Sequence, residues 1–394
     1  MKVKRLGIGV LVFFLLGYSV ATDYTVPLAD LAVGGRTLYV GGDGPNNYSS
    51  IQDAIDDAMD GDTIFVYSGV YYENINISSK TLIIKGEDRE TTIIDGNHNW
   101  NTISIEHANN IEISGFTIKN SKLREENAGI YIKNSNYCKI HDCKIILSSH
   151  GMFVLQSYHN EISDCVFSNN QRHNLLITVS SNHNKVKNCT FSNAGWTALY
   201  LYDSDSNTIE NCVAENCEAG FVVGWECNDI DIKNCSSSNN YYNGIFVYNA
   251  KNVEIENCHF YQNGDGIRIR RGSSNVKVEN CIMENNVFGM QILQQSSNIE
   301  VYFNNIMNNE IGVYVNGSKE NIKINYNNII DNNGKGVVAT NNSIVDARNN
   351  YWGTIFGPIT FGLLGDGIFP LGGKIYFFPW SFNPFETNFR KFYK

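Results

Sequence analysis

Seven cysteines recur along this chain at nearly constant intervals. Cys143, Cys165, Cys189, Cys212, Cys235, Cys258 and Cys281 follow one another at steps of 22, 24, 23, 23, 23 and 23 residues. So regular a period belongs to a structural repeat and not to a set of cross-links, because side chains stacked in register point the same way and do not face each other as a disulfide requires. Cut at this period, the rest of the chain aligns. Ile230–Cys235, Val253–Cys258 and Val276–Cys281 each alternate apolar and polar residues before the Cys. A polar turn such as Glu284-Asn285-Asn286 follows. Next comes a strand opening on Gly, as in Gly266-Ile267-Arg268-Ile269, and a turn such as Ser273-Ser274-Asn275 closes the unit. Alternation marks one buried face. Strands of four or five residues cannot bury that face alone, whereas parallel stacking at roughly 4.8 Å per layer does. The expected fold is all-β, a single-stranded right-handed parallel β-helix of about eleven coils between residues 81 and 350. Asparagine supports it: 55 residues, against 6 Pro, suit a chain that turns often, since Asn tolerates left-handed backbone angles.

Both ends of such a solenoid need covering. Residues 37–80 are expected to form an N-terminal cap and first coil, with an amphipathic helix over 49–60. Repeats fill 81–352, and 353–394 abandons the period as an irregular, aromatic C-terminal cap. Lys2, Lys4 and Arg5 precede an apolar run, Leu6–Ala21, that ends in Ser19-Val20-Ala21. Residues 1–21 thus read as a secretory signal peptide and 22–36 as a linker. Removing the leader changes the charge from 30 − 40 = −10 to 27 − 40 = −13. A chain this acidic should repel nucleic acid and anionic membrane surface, and no further apolar run suggests a membrane span in the mature chain. Cys138, Cys217 and Cys227 lie off the ladder and remain open to pairing.

The segment Ile51–Glu73, with Gly61-Asp62-Thr63 and Gly69-Val70-Tyr71-Tyr72-Glu73, precedes the Asn/Cys coils and Asn349-Asn350-Tyr351-Trp352-Gly353. Together these resemble the pectin-lyase-like superfamily, and within it the NosD-type β-helix repeat proteins. The resemblance implies the fold over residues 37–380. It leaves activity open, because the superfamily includes lyases, hydrolases, esterases, epimerases and non-enzymatic surface proteins. Between Asn46 and Gly357 there is no proline, which removes the proline-bearing motifs of pectate lyases and mannuronan epimerases. Gly69–Glu73 matches one segment of pectin methylesterases without the paired Asp segments that accompany it, and fits a plain turn into a strand equally well.

The outward positions of the Gly-led strand carry the functional expectation. Tyr200, Tyr202, Trp225, Phe246, Tyr248, Arg268 and Arg270 should merge into a strip of rings and guanidiniums suited to an acidic or sulfated polysaccharide. Aromatic ladders also stabilise sheets without any ligand. The expectation is a secreted or cell-surface binding module with no cofactor. If instead the chain is a lyase, hydrolase or epimerase, Asp203, Glu226 and Asp265, with Asp205 nearby, are the candidate acids or Ca²⁺ ligands. NosD proteins are linked to copper-site maturation, so the aligned pairs His150/His173 and His159/His183 are the candidate copper ligands on that resemblance.

Overall fold

The computed structural model describes residues 35–318, 320–358 and 365–386; the expected signal peptide and nearly all of the linker lie outside the described residues. Three parallel sheets run the length of one unit that begins at Gly35. Sheet A has 15 strands, from Thr37–Val40 to Lys374–Tyr376. Sheet B has 12, from Gly69–Tyr71 to Asn328–Ile330, and sheet C has 13, from Ile75–Ser78 to Gly367–Phe369. Each coil contributes one strand to each sheet in turn, and the inward Ile, Val, Leu and Phe of all three form a single core. Sheet C counts two coils more than the expected eleven. Ile75–Ser78 lies before the window in which the repeat is visible, and Gly367–Phe369 lies after it. Residues 353–394 therefore supply strands to sheets A and C as well as irregular structure.

The helix is short, Ile51–Asp57, and buries Ile51, Ala54 and Ile55 over the first coil. The Ser50 hydroxyl accepts from the Asp53 amide at 3.3 Å. The Glu73 carboxylate accepts from the Ile51 and Gln52 amides, each at 2.9 Å. An anion on the exposed amides of a helix start is stabilising, so Gly69–Glu73 ends in a capping group.

Asparagine does two jobs. Half of the non-glycine residues with φ > 0 among those described are Asn, including Asn188, Asn211, Asn234, Asn257 and Asn280 in the turn just before the Cys column. Inside, Asn builds ladders. Asn240, Asn263, Asn286 and Asn309 are buried, and the Oδ1 of Asn263, Asn286 and Asn309 each accepts both the backbone amide and the Nδ2 of the Asn one coil before it, at 2.9–3.2 Å. The cysteines occupy an equivalent column. Cys281 Sγ accepts from the Cys258 amide and donates to the carbonyls of Glu279 and Ile255. Asn304 makes the same three kinds of bond, to the Cys281 amide and the Tyr302 and Val278 carbonyls. Cys gives way to Asn304, Asn327 and Asn350 because both side chains satisfy the same backbone groups.

The off-ladder cysteines have the same explanation. Cys138 precedes Asn160 and Asn184 in one ladder, Cys217 precedes Asn240 in another, and Cys227 continues a serine ladder through Ser181 and Ser204. All ten described cysteines are free and buried.

Candidate functional site

The outward columns of sheet C are in register. Leu176, Tyr200, Val222, Phe246, Arg268 and Gln291 are successive partners, and so are Thr178, Tyr202, Gly224, Tyr248 and Arg270. All the strip residues expected from the sequence therefore share one face, with Trp225 one residue past the end of its strand.

Gly224 shapes this face. A Cβ there would lie 2.2 Å from the Tyr248 ring, so the missing side chain leaves the place in which that ring rests. Tyr248 thereby reaches across one coil to bond the Tyr200 hydroxyl. Burial and this bond push the Tyr200 phenol well above its ordinary range. The neighbouring rings are set by stacking: Tyr202 and Trp225 are 4° from parallel at 6.2 Å, and Phe246 and Tyr248 stack at 4.9 Å. Trp225 is 46% exposed.

Three guanidiniums follow within one coil. Arg270 lies 5.7 Å from the Phe246 ring centre and Arg271 lies 5.9 Å from that of Tyr248. Arg268 has Asp265 at 3.5 Å. Burial, Arg271 and Arg268 together lower the Arg270 pKa, in that order of size. Sheet A mostly alternates charge. Lys139, Glu161 and Lys185 alternate in register, as do Glu254, Lys277, Glu300 and Lys323, although Asp231 faces Glu254 and Glu256 faces Glu279. Like charges side by side destabilise a sheet, and sheet C nevertheless gathers cations.

Asp265 stands apart from Asp203 and Glu226, which lie in neighbouring turns of adjacent coils. Asp265 opens its strand, while Asp203 and Glu226 lie in the turn after theirs. The strand width alone separates them by roughly 20 Å at about 3.3 Å per residue, too far for the acid and base of a hydrolase. Asp205 accepts from the Asn228 amide at 2.8 Å, a turn-forming role.

The histidine pairs stack face to face. His150 and His173 lie 5.3 Å apart at 17°, and His159 and His183 lie 4.9 Å apart at 9°. His150 Nε2 bonds the Glu125 carbonyl at 2.8 Å, and His173 Nδ1 bonds Thr197 Oγ1 at 2.7 Å. Burial lowers these two pKa values to about 4 and about 3.

Several residues of this face escaped the period-2 reading because they sit in turns. Arg172 covers the Trp196 ring at 4.5 Å, and Tyr241 and Tyr242 stand exposed in the corresponding turn two coils after Trp196. Asn243, in register with Asp265, is buried with its Oδ1 unpaired. Gly224, a strand position, shows in the sequence as a gap between Tyr202 and Tyr248 in their column.

The family model described as "Right handed beta helix region" matches residues 174–317 and 222–353, and that described as "Periplasmic copper-binding protein (NosD)" matches residues 55–224. Together these two matches run from residue 55 to residue 353 and agree with the right-handed parallel β-helix fold of the three sheets. Among solved structures, the A-module of the Azotobacter vinelandii mannuronan C-5 epimerase AlgE6 is 16% identical with a TM-score of 0.55, over 85% of this chain and 94% of that one. The catalytic domain of a GH87 alpha-1,3-glucanase in complex with tetrasaccharides is 15% identical with a TM-score of 0.60, over 90% of this chain and 69% of that one. PfbA, a surface adhesin of Streptococcus pneumoniae, is 15% identical with a TM-score of 0.54, over 74% and 88%. At these identities the likeness is one of fold. No curated protein matches the sequence.

The residues of this chain do not fit copper. His150 Nε2 and His173 Nδ1 are already engaged by the Glu125 carbonyl and Thr197 Oγ1, and the rings of each pair stack face to face with centres 4.9–5.3 Å apart. Among the described residues no three His, Cys, Asp or Glu side chains are grouped to hold an ion.

Proposed function

We propose that this β-helix is an exported protein that binds an acidic polysaccharide along the outward face of sheet C, from Tyr200 to Arg271, without turning it over. The observation that carries this reading is the cation cluster. Arg268, Arg270 and Arg271 sit together, with Asp265 the carboxylate at hand, in a chain of net charge −10. The stacked rings beside them offer flat apolar surface to sugar faces, and guanidiniums bind carboxylates and sulfates in bidentate fashion. A carbohydrate epimerase, a glucanase and an adhesin share the fold, which makes the ligand class a natural one for this scaffold. Export rests on the leader pattern of residues 1–21, and among the described residues no helix is long and apolar enough to cross a membrane.

Titration calorimetry with polygalacturonate, dextran sulfate and neutral dextran tests the reading. Binding is expected for the two anionic polymers and not for the neutral one. Arg268→Gln/Arg270→Gln is expected to weaken it by about a hundredfold, since each charge-assisted bond lost is worth about 1.5 kcal/mol or more. Equal affinity for neutral dextran, or an unchanged double variant, would sink the proposal.

A further inference from the structure

The acidic-polysaccharide reading leaves one group unexplained, a nearly buried carboxylate beside the anion site itself. Asp265 is 6% exposed and opens the strand Asp265–Arg270. Its Oδ2 lies 3.5 Å from Arg268 Nε, three residues on. Such a carboxylate competes with any anionic ligand for the same guanidinium.

The surroundings leave that contest to these two residues. In register before Asp265 stands Asn243 and after it Phe288. The outward neighbours on those strands, Phe246, Tyr248 and Gln291, are uncharged at neutral pH, with the Tyr248 phenol raised further by burial. The other cations are Arg270 and Arg271 of the same coil. Glu218 and Glu310, in the turns, are each two layers away, beside Ala219 and Ile311. On sheet B, the strand leading into this coil carries His259, held by Glu284 at 2.8 Å. Asn243 Oδ1 is buried without a partner, an acceptor in the layer next to the carboxyl.

We infer that Asp265 is the internal counter-ion of Arg268 and sets how strongly this face holds an anionic glycan. Ionised, it occupies the guanidinium; protonated, it releases Arg268 to the ligand, so acid tightens binding. The proton comes from solvent and no other bond changes. Burial raises the Asp265 pKa to about 6, against the opposing field of Arg268, which places the change near neutrality. The sign runs opposite to ordinary weakening of an acidic glycan in acid, where the ligand loses its charge. It rests on the acidic-polysaccharide reading and makes Asp265 a positioning residue for Arg268.

Dextran sulfate is the suitable probe, because its sulfate esters stay charged across the range. Its affinity is to be measured from about pH 7.5 to about pH 5 for the native chain, Asp265→Asn and Arg268→Gln. Exposed histidines give all three the same background rise. Beyond that background, the native chain is expected to tighten about tenfold, one charge-assisted bond gained. Asp265→Asn should bind at the tight level throughout, and Arg268→Gln at the weak level. An Asp265→Asn profile parallel to the native one would overturn the role of Asp265 and leave glycan binding standing. Failure of every variant to bind dextran sulfate and polygalacturonate at any pH would overturn the glycan reading, and this inference with it.

Discussion

Acidification from about pH 7 to about pH 5 is expected to move the stability gap between the native chain and His150→Gln/His173→Gln by about 3 kcal/mol in the variant's favour. Both imidazoles are buried, at 2% and 7% exposure, and desolvation lowers their pKa values to about 4 and about 3 from an ordinary 6.5. The unfolded chain therefore takes up two protons as pH falls below 6.5, while the folded chain takes up few until about pH 4. Stability that is full above 6.5 is lost on the way down. Gln keeps an amide able to reach the Glu125 carbonyl and Thr197 but does not titrate. The comparison with the variant is needed because Asp265 and Asp366, both raised to about 6 by burial, act with the opposite sign. Each holds a proton in the fold that the unfolded chain releases, so each adds stability as pH drops through 6. Urea unfolding at a series of pH values measures the gap. Parallel curves for the two proteins would show that the pair is not buried in its neutral form.

Asn286→Ala is expected to cost about 3–5 kcal/mol, a severe loss for a residue with no catalytic or ligand contact. The Asn286 Oδ1 accepts the Asn263 backbone amide and side chain, and its Nδ2 donates to the Phe260 carbonyl and to Asn309 Oδ1. Deleting the amide leaves two buried backbone groups without partners, and an apolar replacement such as Asn286→Leu repairs neither. Asn304→Cys should be mild by comparison, about 1 kcal/mol, because Cys281 makes the same three kinds of bond one coil earlier. Since a solenoid unfolds in parts, hydrogen exchange at coils 260–310 is the right measurement alongside the urea midpoint. Equal losses for Asn286→Ala and Asn304→Cys would show that these columns pack by volume and not by hydrogen bonding.

Much of this architecture was legible because a solenoid writes one local rule many times. The Cys spacing placed Tyr202, Tyr248 and Arg270 in one column without any knowledge of long-range contacts, and the strand registers of sheet C agree residue by residue. The ends were harder to read. Ile75–Ser78 and Gly367–Phe369 are coils whose neighbours lack the Cys and Asn marks, so periodicity fades there although pairing continues. The site was legible in its floor and not in its edges. Alternation identifies which way a strand residue points, but Trp196, Tyr241 and Tyr242 lie in turns, where no such rule holds. The separation of Asp265 from Asp203 and Glu226 follows from the same column, because Asp203 comes one residue after Tyr202 whereas Asp265 comes five before Arg270.

Most internal ladder bonds span one coil of 22 to 24 residues, as in Asn240 to Asn263 and Asn160 to Asn184. A layer thus meets the same requirements above and below wherever it stands. Tandem duplication or excision of one such block in the gene would lengthen or shorten the molecule by a single step without a new core having to evolve. The number of rings and guanidiniums displayed in a row is then a quantity that selection can count up or down, matching the protein's reach to the span of whatever polymer it meets.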